Sequence, residues 1–460
     1  MQVFADNVSL SINPATGETL STWPLADQSQ IEQALGAAHR AAALWRQLGA
    51  TRRADVLRAA AAQLRASKDR LALCITQEMG KPIAEAQAEI EKSASNCEYV
   101  AEHGPAWLAD EMVPTQARSS YLAARPLGVV LSILPWNFPV WQIFRCAASA
   151  LMAGNTIVMK HSPNVQGCAT LVAELFERAG LPAGAFINLN APVAAVAGII
   201  ADRRIAAVAF TGSPSAGAKV AAQAGAVCKK SVLELGGSDA FIVLADADLD
   251  AAVAAGVRAR FTNCGQVCLA AKRFIVEAGV AEEFTVRFAA AAAALRRGDP
   301  LQSATQIGPM ARADLRDSLE VQVAASLQAG AKLVTGGHRV TGPGWYYEPT
   351  VLTNVNGSMP VVAQETFGPV AALLTARDAS DAIAMANDSA FGLSAMLWTH
   401  DLDRARAMAG ALEVGSVFIN SVTASDPRIS VGGVKLSGYG RELGRAGMLE
   451  LCNLQTVWIA

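Results

Sequence analysis

Val129-Val-Leu-Ser-Ile-Leu-Pro-Trp-Asn-Phe-Pro139 is a run of apolar residues that ends abruptly in a turn flanked by two prolines. The run predicts a buried strand over Val129–Leu134, and the residues after it predict a helix from about Val140 to Ala153. Thr156–Lys160 then repeats the strand pattern. Parallel neighbouring strands need a crossover connection, so this order predicts an α/β fold with a parallel sheet.

The same alternation continues downstream. Further strands are predicted over Ala185–Asn190 and Ala206–Phe210, and the last is followed by Thr211-Gly-Ser213 and a helix to about Ala224, where Gly225 can end it. Ligands of parallel sheets bind beyond the carboxyl ends of the strands. The turns after these strands are therefore the first candidate binding sites.

The segments before and after this alternating region predict further helices, a second α/β region and a small sheet. Helical spacing covers Ser29–Ala50, Arg52–Ala66 and Ile83–His103, and a second α/β region runs from Gly236-Gly237 to about Tyr439. The last stretch, Asn453–Ile459, alternates like a strand and is predicted to form a small sheet with the segment near 107–125. Because exposed edge strands tend to be paired, we expect a partner subunit.

The composition of the chain argues against several classes of protein. At 460 residues the chain is too long for a single hydrophobic core, so two or three domains are expected. Its net charge is −2 and its Lys and Arg residues are scattered, so no basic cluster indicates nucleic-acid binding. The eight cysteines follow no framework spacing, which indicates reduced thiols in a cytosol-like compartment. Met1–Asn13 has no apolar signal core, no apolar run reaches a membrane span, and the five histidines show no metal-ligand spacing. We expect a cytoplasmic protein with no metal, nucleic-acid or membrane partner.

A cysteine turn stands out in the second region. Phe261-Thr-Asn-Cys-Gly-Gln-Val-Cys268 ends a helix-like run, and Gly265 allows a turn that can present a thiol at a cleft. A lone cysteine is most often core filling. A disulfide between Cys264 and Cys268 is one hypothesis, but a buried, inert Cys264 is the favoured alternative.

Polar residues elsewhere have both structural and chemical interpretations. Asn137 is either part of a rigid turn or a donor to a developing oxyanion. Glu234, at an apolar strand end, is either a salt-bridged structural residue or a base with a raised pKa. The turn at Gly212 and Ser213 suits a phosphate at a helix N-terminus, and Glu365 precedes an aromatic turn.

Together these motifs resemble the aldehyde dehydrogenase superfamily. The order Pro-Trp-Asn-Phe-Pro, Phe-Thr-Gly-Ser, Glu-Leu-Gly-Gly, Gly-Gln-x-Cys and Glu-x-Phe-Gly-Pro is that of the family, and the resemblance spans essentially the whole chain. The resemblance implies that Cys268 is the nucleophile, that Asn137 and the Cys268 backbone N–H hold the oxyanion, and that Glu234 activates water.

The resemblance also implies a bound NAD(P) and a division of the chain. Implied cofactor contacts are Trp136, Asn137, Lys160, His161, Ser162, Pro163, Gly212, Ser213, Leu235, Glu365 and Phe367. The implied fold is a Rossmann-like cofactor domain (1–107 and 127–236), an α/β catalytic domain (237–440) and a β oligomerisation arm (108–126 and 441–460) of a homodimer or homotetramer. The turn Lys160-His-Ser-Pro163 lacks the Glu of NAD-selective relatives, so we expect NADP to be accepted as well as NAD.

Within the family the chain resembles bacterial NAD(P)-dependent succinate semialdehyde dehydrogenases. Arg145 and Ser425 match positions that hold the substrate carboxylate there, whereas Thr262 stands where other such enzymes carry an arginine. Arg428 is one candidate for the second cation, and the alternative is that one arginine and hydroxyl groups hold the carboxylate. Another aliphatic or amino aldehyde is the main alternative, and a non-catalytic cofactor-binding protein is a remote one. The Glu at position 234 argues against a coenzyme-A-acylating relative, and no histidine has the setting of a hydrolase base.

Overall fold

The computed structural model describes residues 4–5 and 7–460, so part of the Met1–Asn13 stretch interpreted above lies outside the described residues. The first quarter of the chain is a small sheet followed by helices. Its elements are β1 (Phe4–Ala5), β2 (Val8–Ile12), β3 (Thr19–Pro24), α1 (Gln28–Gln47), α2 (Ala50–Ala66), α3 (Lys68–Met79) and α4 (Ile83–Trp107). The three predicted helices are confirmed, with ends that differ by a few residues.

The next part alternates between strands and helices, as predicted. It comprises β4 (Glu111–Met112), β5 (Ser119–Pro126), β6 (Val129–Ile133), α5 (Trp141–Ala153), β7 (Thr156–Lys160), α6 (Gln166–Arg178), β8 (Phe186–Asn188), α7 (Val196–Ala201), β9 (Ile205–Thr211), α8 (Pro214–Ala226) and β10 (Lys230–Glu234). The predicted end of α8 was wrong, because the helix continues through Gly225. The left-handed residue after this helix is Cys228, with φ of 54°.

The remainder of the chain contains a second α/β unit together with strands that join the other sheets. Its strands are β11 (Asp239–Val243), β12 (Ala271–Glu277), β13 (Lys332–Thr335), β14 (Thr350–Thr353), β15 (Val370–Ala376), β16 (Phe391–Gly392), β17 (Ser394–Trp398), β18 (Ser416–Ile419), β19 (Val434–Lys435), β20 (Gly438–Tyr439) and β21 (Cys452–Ile459). Its helices are α9 (Leu249–Phe261), α10 (Ala278–Ala293), α11 (Ala313–Gln328), α12 (Pro360–Ala363), α13 (Ala379–Asn387), α14 (Leu402–Ala411) and α15 (Gly444–Glu450).

Two large sheets organise the molecule. The six-stranded sheet has the order β20-β10-β9-β6-β7-β8, and every pairing in it is parallel except that of β20 with β10. The seven-stranded sheet has the order β13-β14-β15-β12-β11-β17-β18, in which only β13 is antiparallel to its neighbour. Strands buried on both faces explain the near-continuous apolar runs in the sequence. The predicted α/β class is confirmed.

A separate three-stranded sheet has the order β21-β5-β4. The last strand, Cys452–Ile459, pairs antiparallel with the whole of Ser119–Pro126, so the small sheet predicted from the C-terminal alternation is present. Leu454 and Trp458 are exposed on it. In the described part of the chain, no helix has the length and apolar character needed to span a bilayer.

The parallel register collects the candidate residues at one edge of the six-stranded sheet. Thr211 and Glu234 end adjacent strands and pair with each other in register. Ile133, at the end of β6, pairs with Lys160 on one side and Phe210 on the other. The turns after β6, β7, β9 and β10 therefore open on the same side.

A buried ion pair fixes the helix that follows the β6 turn. Glu89 of α4 accepts hydrogen bonds from the backbone N–H groups of Val140 (2.8 Å) and Trp141 (2.9 Å), where α5 begins. Its other carboxylate oxygen pairs with Lys81, and both side chains are almost completely buried. Since a helix N-terminus leaves N–H groups unpaired, the carboxylate satisfies them and fixes the position of α5.

Replacing Glu89 with Gln should therefore lower the free energy of unfolding by about 3 kcal/mol or more, because it leaves the Lys81 ammonium buried without its counter-charge. Urea titration followed by tryptophan fluorescence measures the loss. Glu91→Gln is the control, since Glu91 lies on the same helix in an exposed pair with Arg65, for which we expect less than about 1 kcal/mol. Equal losses in both variants would contradict the structural role of Glu89.

Candidate active site

The Cys268 loop begins with an unusual backbone. After α9, residues Asn263, Cys264 and Gly265 are all left-handed, with φ of 54°, 54° and 70°. A Cβ at Gly265 would lie 2.4 Å from a guanidinium nitrogen of Arg260 and 2.4 Å from the carbonyl oxygen of Gly368. The predicted turn is confirmed, and only glycine fits at its third residue.

Buried polar side chains hold this turn. The Arg260 guanidinium donates to the carbonyl oxygens of Gly265 (2.7 Å) and Gly368 (2.6 Å), and burial lowers its pKa to about 10. Glu85 accepts the backbone N–H of Asn263 at 2.8 Å. Burial raises the pKa of that carboxyl to about 7, and neighbouring Lys81 opposes the shift.

Lys272 holds the other side of the loop. Its ammonium donates to the carbonyl oxygens of Val267 (2.9 Å) and Cys268 (2.7 Å), and it lies 3.2 Å from a carboxylate oxygen of Glu365. No role was predicted for Lys272 from its sequence context. The available signal was the pair Lys272-Arg273 inside the otherwise apolar run Leu269–Val276, since buried cations there require partners.

Two cavities meet at Cys268. The first, of about 220 Å³, is lined by Cys268 and by seven predicted cofactor residues: Trp136, Asn137, Gly212, Ser213, Leu235, Glu365 and Phe367. The second, of about 290 Å³, is lined by Cys268 together with Arg145 and Ser425, which were predicted for the substrate. Cys268 and Gln142 contribute to both cavities. The thiol is thus accessible from two directions.

The walls of the first cavity fit a dinucleotide. The Trp136 and Phe367 rings meet edge to face at 5.7 Å, and Ser213 caps the N-terminus of α8, where N–H groups favour a phosphate. Glu365 accepts the N–H of Gly237 at 3.0 Å. A Cβ at Gly236 would lie 2.3 Å from the same carboxylate, so the glycine lets Glu365 approach the backbone.

The turn after β7 departs from the predicted cofactor contacts. Lys160, His161, Ser162 and Pro163 are not among the residues that line this cavity. The His161 ring is buried, with Nε2 2.8 Å from the Pro139 carbonyl oxygen and Nδ1 accepting the N–H of Ser162. Burial lowers the pKa of His161 to about 4, so the ring is neutral at pH 7. His161 therefore adds no positive charge to this turn, and Lys160 is its cation.

Glu234 is buried at the end of β10. Burial raises the pKa of its carboxyl to about 8, and the nearby Arg145 guanidinium limits the increase. An Arg145 nitrogen lies 3.9 Å from Glu234 Oε2, too far for a hydrogen bond, while Arg145 Nε pairs with Glu442. Glu234 therefore matches the raised-pKa interpretation better than the salt-bridged one. No role was predicted for Glu442 from the sequence.

Asn137 lies within the same hydrogen-bond network. Its side-chain nitrogen donates to the backbone carbonyl oxygen of Gln266 at 3.0 Å, and its backbone carbonyl oxygen accepts from the Asn263 side-chain nitrogen at 2.8 Å. An amide nitrogen has two hydrogens, so one remains for a ligand.

The two cysteines of the loop differ in environment. Cys268 is partly exposed, and burial of the thiol raises its pKa to about 11, against the influence of Arg145 and Lys272. Cys264 is buried in the core of the seven-stranded sheet, and burial raises the pKa of its thiol far above the usual value. These surroundings agree with an inert Cys264 rather than a disulfide with Cys268.

The predicted substrate residues separate into two groups. Arg145 and Ser425 line the second cavity, but Arg428 does not. The Arg428 side chain is 71% exposed and pairs with Asp426. The prediction that Arg428 is the second cation is therefore corrected. The cavity instead contains Lys92 and Arg258, neither of which was predicted from the sequence.

One further cluster bears on the expectation of no metal. Cys74, Glu78 and Cys168 place possible ligand atoms within 4.8 Å of one another. Glu78 already accepts hydrogen bonds from the N–H groups of Gly167 (2.8 Å) and Cys168 (2.9 Å) and from the Ser11 hydroxyl. The carboxylate thus connects β2, α3 and the start of α6.

The motifs, the fold and the shared thiol define an aldehyde dehydrogenase, and the chain belongs to that family. The aldehyde dehydrogenase family model matches residues 5–457. The chain is 53% identical to the Escherichia coli (strain K12) succinate semialdehyde dehydrogenase [NAD(P)+] Sad, over 98% of this chain and 97% of that protein. It is 48% identical to a probable Synechocystis succinate-semialdehyde dehydrogenase [NADP(+)], over 98% and 99%.

A solved structure of a related enzyme has the same fold as this chain. The crystal structure of Streptococcus pyogenes succinic semialdehyde dehydrogenase in complex with NADP+ is 35% identical, with a TM-score of 0.96 and coverage of 98% of this chain and 99% of that one. The predicted family and fold are confirmed.

The thiol environment predicts selective, pH-dependent alkylation. Because the pKa of Cys268 is about 11, its thiolate fraction should rise about tenfold per pH unit between pH 7 and 9. Iodoacetamide should modify Cys268 at that increasing rate and leave Cys264 unmodified until the protein is unfolded in urea, as measured by peptide mass spectrometry. A rate for Cys268 that does not change with pH would indicate a preformed thiolate and contradict this assignment.

Proposed function

We propose that the protein oxidises succinate semialdehyde, or a similar short acidic aldehyde, to the carboxylic acid with NAD(P)+. The observation that carries the proposal is that one thiol, Cys268, lies between a cavity lined by the predicted cofactor residues and a second cavity lined by cations. A reaction that joins an aldehyde and a redox cofactor at one sulfur requires this arrangement.

In the proposed mechanism the Cys268 sulfur bonds to the aldehyde carbon as the thiol loses its proton. The remaining amide hydrogen of Asn137 and the Cys268 backbone N–H donate to the oxygen that becomes negative. The residues of the first cavity would hold a nicotinamide cofactor, which would supply the hydride acceptor for oxidation of this thiohemiacetal to a thioester. Glu234 then takes a proton from water, the hydroxide attacks the thioester carbon, and the acid leaves as the sulfur is released.

On the cofactor side, we assign Trp136, Gly212, Ser213, Leu235, Glu365 and Phe367 to the first cavity and Lys160 to the turn beside it. The turn after β7 carries no carboxylate, since it reads Lys160-His-Ser-Pro163. A 2′-phosphate would meet no negative side chain from this turn. We therefore propose that the protein uses both NAD and NADP.

On the substrate side, Arg145 and Ser425 are assigned to the second cavity. Arg145 is paired through Nε with Glu442, and its fork geometry suits a carboxylate at the opposite edge. A distal carboxylate entering this cavity would lose water, so cations there favour an acidic aldehyde over a neutral one.

The division of the chain is part of the same proposal. Segments 1–107 and 127–236 form the cofactor domain, 237–440 the catalytic domain, and 108–126 with 441–460 the oligomerisation arm. The exposed apolar residues of the three-stranded sheet support a homodimer or homotetramer, because such a strand edge is usually paired. A cytoplasmic location fits the unpaired cysteines.

A dehydrogenase of another aliphatic or amino aldehyde is the second candidate function. It would require the cations of the second cavity to contact no substrate group. A cofactor-binding protein without activity would have no need of the raised pKa of Glu234 or of the strained Cys268 loop.

NAD(P)H formation from a panel of aldehydes, with each cofactor and with or without coenzyme A, tests the function. We expect the highest kcat/KM with succinate semialdehyde, activity with both cofactors, and no requirement for coenzyme A. Cys268→Ala should lose oxidation and retain NADP binding, measured by fluorescence titration, whereas Cys264→Ala should remain active. A preference for butanal over succinate semialdehyde, or turnover by Cys268→Ala, would overturn the proposal.

Glu234→Gln should separate the two halves of the reaction. The variant should form about one equivalent of NAD(P)H rapidly and then turn over slowly, because the thioester accumulates without a base to activate water. Stopped-flow absorbance at the reduced-nicotinamide band measures both phases. A normal steady-state rate would place the base at another residue.

A further inference from the structure

The second cavity contains a partly buried lysine ammonium that is bonded to a hydroxyl group rather than to a carboxylate. Lys92 of α4 lines it, and its ammonium donates to the Ser425 hydroxyl at 2.5 Å. The ammonium also lies 4.2 Å from the centre of the Trp141 ring. Among residues 4–5 and 7–460, no Asp or Glu forms an ion pair with Lys92 within 4.0 Å.

The surroundings of Lys92 favour the arrival of an anion. Burial lowers the pKa of its amine to about 8, and the positive charges of Arg145 and Lys81 act in the same direction. Glu89 and the Cys268 thiol oppose the shift. Glu89 is already bound by Lys81 and by the first N–H groups of α5. A ligand carboxylate would supply the missing counter-charge.

The other two cations of the cavity are less suited to this role. Arg145 pairs with Glu442 through Nε and donates to the Thr211 hydroxyl at 3.2 Å, so much of its charge is balanced within the protein. Arg258 is exposed at the cavity rim, where water screens its charge.

We propose that Lys92 and Ser425 together bind the distal carboxylate of the substrate, with Lys92 as the second cation beside Arg145. This inference rests on the function proposed above. An ammonium has three hydrogens, so the bond to Ser425 leaves two for a ligand. Because the Ser425 oxygen accepts from Lys92, its own hydrogen is free to point at a carboxylate. The Trp141 ring holds the lysine in place through a cation–π contact.

The test compares Lys92→Met, Lys92→Arg and Arg258→Met in full-length protein, with succinate semialdehyde and butanal as substrates and NADP+ as cofactor. Lys92→Met should raise KM for succinate semialdehyde by roughly 30-fold or more, since a desolvated carboxylate loses a charged partner. Its kcat/KM for butanal should change less than about threefold. Lys92→Arg should restore most of the affinity, and Arg258→Met, which removes an equal charge at the rim, should raise KM less than about threefold.

Different outcomes would refute the role of Lys92 and the proposed dehydrogenase function. Equal losses of Lys92→Met on both aldehydes, with no rescue by Lys92→Arg, would assign Lys92 a purely structural role and overturn the inference. A larger KM effect from Arg258→Met would transfer the role to Arg258 and also overturn it. A wild-type protein that does not oxidise succinate semialdehyde would instead refute the proposed function.

Discussion

The strained turn at Asn263, Cys264 and Gly265 is the constraint on which the site depends. A non-glycine residue in the left-handed region costs on the order of 1–3 kcal/mol, and two occur in succession here. The cost is offset by the buried hydrogen bonds of Arg260 and by the Glu85 carboxylate that accepts the Asn263 N–H. Without this turn, α9 would carry the chain past the cavities, and Cys268 would not lie where they meet.

The charges around the thiol form a connected set. Arg145 lies between Glu442 and Glu234, and the Cys268 thiol is influenced by Arg145, Lys272 and Glu234. A carboxyl with a pKa of about 8 is mostly protonated at pH 7, so its base form increases as pH rises through that value. The same burial that makes Glu234 a strong base therefore restricts how much of it is available at neutral pH.

Much of the fold was predictable, because local patterns determine it. The strand at Thr156–Lys160 has its predicted bounds, and the turns after the parallel strands lie at one edge because the register requires it. The missed residues depend on partners far away in sequence. The hydrogen bond from Lys92 to Ser425 spans 333 residues, and a lysine on a long helix is usually a solvated one. The neutral, buried state of His161 was not predictable for the same reason, since only the folded chain shows that its ring contacts the Pro139 carbonyl oxygen.

The position of Lys92 also shows why a short, local motif is insufficient to define specificity in this fold. The Cys268 loop and the strand-end turns are connections of the two large sheets. Lys92 instead lies on α4, a helix that packs against α5. Glu89 on that helix fixes where α5 begins, and Arg145 lies on α5. One helix therefore places a cation in the cavity directly and orients the helix that carries the other. A change in the position of α4 would move both positive charges together, so the packing between α4 and α5 sets the distance between them.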